Sequence, residues 1–163
     1  MSAVLGDTVS YTLHLGNDAV DMNALIGKNI QLSFAGQINC VVCGNTIKKG
    51  FGQGLCYNCF ATAPENSECI LRPELCDGHN GNGRNAEWEA KHHVQEHVVY
   101  LAIASGIKVG VTRGDQVPTR WIDQGAWKAI ELARVPYRRL AGDIEVNLKN
   151  HVGDKTHWQK MLK

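Results

Sequence analysis

The sequence predicts a mixed α+β fold in three consecutive parts. Short stretches of alternating apolar and polar residues lie in the first part, residues 1–38, and indicate a β-hairpin. Closely spaced cysteines and histidines dominate the second part, residues 39–96. In the third part, residues 97–163, apolar runs alternate with helical patterns in the order β-β-α-β-α. At 163 residues the chain fits one domain or two small ones.

Two alternating segments predict the strands of the N-terminal hairpin. They lie at residues 11–15 and 30–34, where every second side chain is apolar. Glycines supply turns after the first segment and before the second. Residues 21–26 between them are predicted to form a helical turn. The second strand is expected to continue through Ile38 into the cysteine-rich part.

The most specific feature of the chain is a set of two Cys-x-x-Cys pairs separated by twelve residues. The four cysteines are Cys40, Cys43, Cys56 and Cys59. Such pairs are typical of a tetrahedral zinc site, because two intervening residues form a turn that lets both thiolates reach one ion. The alternative is two disulfides in a secreted domain. Residues 38–84 are poor in large aliphatic side chains, so metal is expected to supply the folding energy that a core cannot.

The start of the chain argues against the disulfide alternative. Residues 1–15 lack the basic start, apolar centre and small-residue cleavage site of a secretory signal. No segment approaches the ~18 consecutive apolar residues of a membrane helix. We therefore expect a cytoplasmic protein with no membrane partner, in which close cysteine pairs more often bind metal than form disulfides.

The two remaining cysteines and nearby histidines predict a second zinc site. Four of the following five residues are the expected ligands: Cys69, Cys76, His79, His93 and His97. His79 is expected as the third ligand, with His93 or His97 as the fourth. A helix predicted over residues 88–96 would place those last two imidazoles on one face, one turn apart. The alternative is a pair of buried free thiols with solvent-facing histidines.

The third part has the pattern of a small α/β unit. Its predicted elements, in chain order, are strands over 98–104 and 107–112, a short helix over 119–123, a strand over 129–135 and a helix over 137–151. Pro118 favours the short helix, because proline is preferred at a helix start. Leu140, Ile144 and Leu148 recur on one face of the last helix. No glycine-rich phosphate loop of either common kind is present, which argues against a doubly wound nucleotide-binding fold.

Charge is divided unevenly along the chain, although the net charge is only +1. Residues 1–95 carry 6 basic and 9 acidic side chains, whereas residues 96–163 carry 11 basic and 7 acidic ones. A basic second half permits contact with nucleic acid. The alternative is a solvated surface of mixed charge with no nucleic-acid partner. Taken by itself, the charge distribution favours this alternative.

Motifs along nearly the whole chain resemble a known bacterial family. The cysteine pairs, the segment PTRWIDQGA at residues 118–126 and the segment DKTHW at residues 154–158 are similar to the domain of unknown function 2797 family. That resemblance implies no established activity.

The third part by itself resembles the GIY-YIG nuclease domain. In that domain the first strand ends in a tyrosine and the second in a glycine; here residues 98–100 end in Tyr100, and residues 108–110 end in Gly110. Arg120 and Glu145 match the arginine and the metal-binding glutamate of the two helices. Lys108 occupies the place where the nuclease pattern usually has a second tyrosine. The resemblance therefore implies a small β-β-α-β-α nuclease-like fold.

The nuclease resemblance also implies roles for individual residues. Glu145 would hold one Mg²⁺ or Mn²⁺, Arg120 would clamp a phosphate oxygen, and Tyr100 would position or activate water. Lys108 would contact phosphate or act as a base with a lowered pKa. His157, where the family commonly has asparagine, could also act as a base.

Each of these residues has a purely structural interpretation as well. A tyrosine in an apolar strand, such as Tyr100, is most often a core residue with a hydrogen-bonded hydroxyl. Arg120 and Asp123 could form an exposed ion pair on one helix. Glu145 and Lys149 have the spacing of the common i,i+4 surface pair.

Two function classes follow from these observations. The first is a zinc-binding, Mg²⁺- or Mn²⁺-dependent nuclease whose partner is DNA or RNA. The second is a catalytically degenerate, zinc-stabilised nucleic-acid-binding or adaptor protein, which Lys108 in place of tyrosine favours. A purely protein-binding scaffold is a third class, and its binding would be insensitive to salt because no phosphate contacts release counterions.

Overall fold

The computed structural model describes residues 1–152 and has the mixed α+β architecture that the sequence predicts. The strands are β1 (Ser2–Val4), β2 (Ser10–Leu15), β3 (Asp18–Asp21), β4 (Ile38–Asn39), β5 (Thr46–Ile47), β6 (His97–Ile103), β7 (Ile107–Arg113) and β8 (Lys128–Val135). The α-helices are α1 (Tyr57–Thr62), α2 (Ala86–His92), α3 (Thr119–Asp123) and α4 (Arg138–Leu148). Within these residues the strands form three sheets, in the orders β1-β2-β3, β4-β5 and β7-β6-β8.

The N-terminal sheet differs from the predicted hairpin in its second strand. β2 pairs with β3 across a two-residue turn in which Gly16 has a positive φ of 63°, and Leu15 lies opposite Asp18. Such a turn joins immediately adjacent strands, so β3 takes the place beside β2 that the sequence assigned to residues 30–34. The prediction of a strand at 30–34 is wrong: alternation supplies a pattern but no pairing partner. The helical turn predicted at 21–26 is confirmed as a 3-10 turn at Asn23–Leu25.

The cysteine-rich part is built from short elements and has little apolar core. β4 and β5 form a short hairpin with two residues in each strand, and α1 follows after the turn around Phe51 and Leu55. Four 3-10 turns then lead to α2: Pro64–Asn66, Glu68–Ile70, Pro73–Leu75 and Gly78–Asn80. From residue 39 to 96 the buried apolar residues are few and three of them are cysteines. This composition fits the expectation that metal supplies folding energy here.

The C-terminal part has the predicted β-β-α-β-α order, with β6 in the middle of its sheet. β7 and β8 both pair with β6 in antiparallel register. One face of the sheet packs Val99 and Val109 against α4, and the other packs Val98 and Tyr100 near Trp121 of α3. The last helix ends at Leu148, three residues before the predicted end.

The cysteine-rich part and the C-terminal part are in direct contact. A Cβ atom on Gly142 of α4 would overlap the backbone of Pro73 and Glu74, so the helix and this 3-10 turn touch with no side chain between them. Arg138, at the start of α4, donates hydrogen bonds to the carbonyl oxygens of Cys69 (3.0 Å) and Ile70 (2.9 Å). The division into parts at residues 38, 96 and 163 remains a prediction. Among residues 1–152, no helix has the length and apolarity required to cross a membrane.

Candidate metal centres and an adjoining basic cavity

Backbone geometry holds the first two cysteine pairs in place. Cys40 and Cys43 flank the turn of the β4–β5 hairpin, which is closed by a hydrogen bond from the Gly44 N–H to the Cys40 carbonyl at 2.9 Å. Gly44 has a φ of 73°, a conformation that glycine adopts without a steric cost. Cys56 caps the N-terminus of α1, where its Sγ accepts a hydrogen bond from the Cys59 N–H at 3.4 Å. Each pair therefore presents its two thiols on one side of a turn.

These two pairs meet in one cluster, as predicted. The ligand atoms of Cys40, Cys43, Cys56 and Cys59 all lie within 4.8 Å of one another. The Sγ atoms of Cys43 and Cys56 are 3.9 Å apart. In a tetrahedral site with zinc–sulfur bonds of ~2.3 Å, neighbouring sulfurs are about 3.8 Å apart. The four cysteines could therefore bind one zinc ion.

The electrostatics of the first cluster suit a cation. Backbone N–H groups of Cys43 and Cys56 lower the pKa of the Cys40 thiol to about 6. The hydrogen bond to the Cys56 sulfur, followed by burial, raises the pKa of Cys59 to about 12. Four sulfurs at this separation repel one another when ionised, and the thiolate is the metal-binding form. A divalent cation would remove that repulsion.

A second cluster contains Cys69, Cys76 and His93, all buried. Their ligand atoms lie within 4.8 Å of one another, and Nδ1 of His93 is 3.9 Å from Sγ of Cys69. The neighbouring Cys69 thiol lowers the pKa of Cys76 to about 4, whereas that of Cys69 is raised. Three of the five predicted ligands are thus together. Cysteine sulfur and histidine nitrogen are ordinary zinc ligands, so this cluster could also hold a metal ion.

The other two predicted ligands, His79 and His97, lie outside this cluster. α2 ends at His92, so His93 and His97 are not one helical turn apart as predicted; His97 instead begins β6. Its Nδ1–H donates to the Gln95 carbonyl at 2.7 Å, and its Nε2 is buried with no hydrogen-bond partner among the described residues. The His79 ring stacks on Tyr137 with centroids 4.5 Å apart. The sequence could not place the His97 ring relative to His93, because the end of α2 lies between the two residues. His79 lies in a separate 3-10 turn, Gly78–Asn80.

A small cavity opens where the C-terminal sheet meets α4 and the turn at Pro73–Leu75. Its volume is about 240 Å³. Three residues of the predicted nuclease set line it from three elements: Tyr100 from β6, Arg120 from α3 and Glu145 from α4. Three of the five residues in the predicted set are therefore close together, and their catalytic roles remain a prediction.

Tyr100 is fully buried, and its hydroxyl donates a hydrogen bond to Oε1 of Gln124 at 2.9 Å. Burial raises the pKa of Tyr100, although the nearby charge of Arg120 opposes the rise. The hydroxyl end of the ring lies against Gly110 of β7, since a Cβ atom there would be 2.7 Å from both the Tyr100 Cζ and the hydroxyl oxygen. Glycine at this position is thus required by the tyrosine ring and not by an unusual backbone angle.

Glu145 is 8% exposed, and its Oε2 lies 3.4 Å from Nζ of Lys149. The i,i+4 ion pair expected under the structural interpretation is therefore present, but it lies in a cavity wall and not on an open surface. Lys108 lies on β7 two residues before Gly110 and is not among the residues that line this cavity. Burial and then the positive charge of Arg120 lower the pKa of Lys108. His157 lies outside the described residues.

Sequence reasoning missed two polar residues of the cavity, Gln124 and Arg138. Gln124 follows α3, and no local pattern marks it. Arg138 carried a usable signal, because it precedes Glu145 by seven residues and so lies on the same face of α4. Burial lowers its pKa, and the charges of Cys69 and Cys76 oppose that change. Arg138 thus lies between the second cluster and the cavity.

The fold and these clusters define a small α+β protein with cysteine-rich sites that could hold metal. The chain belongs to the family described as "Protein of unknown function (DUF2797)", whose model matches residues 27–163. This match confirms the family resemblance seen in the sequence motifs. No curated protein and no solved structure matches the chain.

Proposed function

We propose that the protein is a zinc-binding, divalent-metal-dependent phosphodiesterase of the GIY-YIG type that acts on DNA or RNA. One observation carries this proposal: Tyr100, Arg120 and Glu145, which are far apart in the sequence, line a single cavity. Phosphodiester cleavage needs a group that orients the attacking water and positive charge that stabilises the phosphoryl oxygens, and a tyrosine, an arginine and a metal-binding carboxylate facing one space could fill these roles.

Zinc has a structural role in this proposal. Cys40, Cys43, Cys56 and Cys59 would hold the first ion with no position left for substrate, as in structural sites. The second ion would be held by Cys69, Cys76 and His93 and would stabilise the turns on which α4 packs. Zinc would thereby fix one wall of the cavity.

Each of the three cavity residues would have a separate role in cleavage. Glu145 would hold a Mg²⁺ or Mn²⁺ ion, which when bound would neutralise negative charge on the phosphate. A single carboxylate suits magnesium, because this ion keeps several of its water ligands when it binds to a protein. Arg120 is exposed at the cavity and can offer its planar fork to two phosphate oxygens. Tyr100 is held by Gln124 at 2.9 Å, so its hydroxyl has a fixed position from which to orient water.

Positive charge around the cavity supports a phosphate-bearing partner. Among the described residues, Arg120 and Lys149 line the cavity against the carboxylate of Glu145, and Arg138 lines it on the side of the second cluster. This excess of cations would attract a polyanion, and binding would weaken steeply with salt as counterions are released. Lys108, with its lowered pKa, would contribute near Arg120 as a base or a phosphate contact.

The second candidate is a nucleic-acid-binding or adaptor protein that has lost hydrolysis. One observation favours it: the Glu145 carboxylate is already paired with Lys149 at 3.4 Å, which competes with a metal ion for the same oxygen. In this case the cavity would bind phosphate without cleaving it, and a protein partner would be recognised elsewhere.

A cleavage assay tests both candidates. Supercoiled plasmid, branched DNA and structured RNA are incubated with the parent protein and with Glu145→Gln, in Mg²⁺ or Mn²⁺ and at equal zinc content. Asp143→Asn is the matched control, since this carboxylate lies on the same helix but is exposed. We expect cleavage by the parent and the control and none by Glu145→Gln. Salt-sensitive binding without cleavage by any of the three would support the adaptor, and equal cleavage by all three would refute the assigned site.

A further inference from the structure

A buried carboxylate lies against the second metal cluster and was not among its predicted ligands. Glu89 of α2 is 3% exposed. Its Oε2 accepts a hydrogen bond from Nδ1–H of His93 at 2.5 Å, and the same nitrogen is 3.9 Å from Sγ of Cys69. Burying a carboxylate is costly unless it pairs with a cation or coordinates a metal. Because Glu89 contacts a nitrogen that could bind metal, its carboxylate could either orient His93 or coordinate the ion itself.

Two glycines leave room for this carboxylate. A Cβ atom on Gly78 would be 2.7 Å from Oε2 of Glu89, and one on Gly83 would be 2.5 Å from Cγ and 2.7 Å from Oε1. Neither glycine has a positive φ, so the backbone conformation does not require glycine at either position. The local chain is therefore shaped around the Glu89 side chain.

We infer that Glu89 is the fourth ligand of the second metal centre, which would be a Cys69, Cys76, His93 and Glu89 zinc site. This inference rests on the second zinc of the proposed function. Sulfur, nitrogen and carboxylate oxygen all bind zinc at roughly 2.0–2.3 Å, so tetrahedral ligand atoms lie about 3.3–3.8 Å apart. The 3.9 Å between Nδ1 of His93 and Sγ of Cys69 is close to that spacing.

Metal binding at this site requires a small rearrangement of protons and of the Glu89 side chain. The proton on Nδ1 of His93 moves to Nε2, which frees the Nδ1 lone pair for the ion. Oε2 of Glu89 loses its hydrogen bond at the same time and turns to the ion. The thiols of Cys69 and Cys76 release their protons to solvent, as coordination by thiolate demands.

The charge of the site favours a carboxylate as the fourth ligand. Two thiolates and one carboxylate around Zn²⁺ leave a net charge of −1. The guanidinium of Arg138 is held beside this site by its hydrogen bonds to the carbonyl oxygens of Cys69 and Ile70. Arg138 also interacts electrostatically with Glu89. The cation and the site would neutralise each other, which lowers the cost of burying both.

The two histidines expected from the sequence are the competing fourth ligands. His97 has an unpartnered Nε2, and His79 has an unpartnered Nδ1. Neither forms a hydrogen bond with a member of the cluster among the described residues, whereas Glu89 contacts His93 directly. Glu89, like the two histidines, lies outside the set of ligand atoms that are within 4.8 Å of one another, so its carboxylate must turn to reach the ion. Its direct contact with His93 and the space left by the two glycines are the observations that select it over the histidines.

Cadmium-113 NMR of the full-length protein tests this inference, because the chemical shift of each bound ion reports its number of thiolate ligands. The protein is loaded with ¹¹³Cd²⁺, and the parent is compared with Glu89→Cys, Glu89→Gln and His97→Gln. Glu87→Gln is the control, an exposed glutamate on the same helix. We expect two signals from the parent, of which Glu89→Cys moves only one, toward the shift of a three-thiolate site.

Affinity for zinc provides the second measurement, by competition with a chelator. Glu89→Gln is nearly isosteric, so it decides the matter even if Glu89→Cys does not fold. We expect it to weaken the second site by more than about 100-fold, beyond the ~10–100-fold typical when a residue only orients a ligand. Glu87→Gln should leave both sites unchanged.

Three results would overturn the inference. A second signal that Glu89→Cys does not move, with an affinity loss in Glu89→Gln of less than about 100-fold, would make Glu89 an orienting residue for His93. Loss of the second signal in His97→Gln but not in Glu89→Gln would make His97 the ligand. A single signal from the parent would remove the second zinc itself, and with it that part of the proposed function.

Discussion

Adding one methyl group at Gly110 should disrupt the packing on which the cavity depends. In Gly110→Ala the new Cβ atom would lie 2.7 Å from Cζ and from the hydroxyl oxygen of Tyr100. Optimal contacts between such atoms begin at roughly 3.5 Å, so the ring or β7 must move by about 0.8 Å. Tyr100 is fully buried between β7 and Trp121, so the ring has little space into which it can move.

The expected loss of stability follows from two contributions. Overpacking of this kind costs about 1–3 kcal/mol. A displaced ring would also weaken the hydrogen bond from the Tyr100 hydroxyl to Gln124, which contributes about 0.5–1.5 kcal/mol. We therefore expect the free energy of unfolding to fall by about 2–4 kcal/mol. The phosphate binding that the proposed function assigns to the cavity should weaken as well, because Tyr100 and Arg120 line the same space.

Chemical denaturation followed by circular dichroism measures this change, with zinc content matched between samples. Gly106→Ala is the control, because a Cβ atom at this loop position would meet nothing within 4 Å. The double variant Gly110→Ala/Tyr100→Phe removes one of the two overlapping atoms, so its loss should be smaller than the sum of the single losses. Equal stability of Gly110→Ala and Gly106→Ala would refute the packing argument.

Three further perturbations test the fold and its metal centres. Burial lowers the pKa of His97 to about 4, so below pH ~6.5 the unfolded chain binds a proton that the folded chain does not. Between pH 7 and 5 the free energy of unfolding should therefore fall by about 2 kcal/mol more in the parent than in His97→Gln. Parallel plots of this free energy against pH for the two proteins would contradict the expectation. Gly142→Ala should lower the free energy of unfolding by about 1–3 kcal/mol despite the ~1 kcal/mol gain in helix propensity, because the new Cβ atom overlaps the backbone of Pro73. A higher melting temperature for this variant would show that α4 moves freely away from the turn. Cys40→Ser should reduce bound zinc by one ion per chain in elemental analysis and expose residues 39–62 to proteolysis, and unchanged zinc content would exclude the four-cysteine site.

The sequence by itself determined the four-cysteine cluster and most of the C-terminal part. Two Cys-x-x-Cys pairs constrain their thiols locally, so their spacing was sufficient to predict one cluster. The β-β-α-β-α order also followed from local patterns, because long apolar runs and helical periodicity act within single elements. Strand pairing at the N-terminus was predicted less well, since the alternation at residues 30–34 carries no information about a partner.

Only the tertiary structure decided which distant side chains meet. The end of α2 at His92 separates His93 from His97, and the helix boundary is the feature that a sequence pattern fixes least. Glu89 reaches His93 because Gly78 and Gly83 leave space for it, a relation that no spacing rule contains. Local patterns specify elements, whereas contacts between elements depend on packing in three dimensions. The meeting of Cys69, Cys76 and His93 in one cluster is a contact of this second kind.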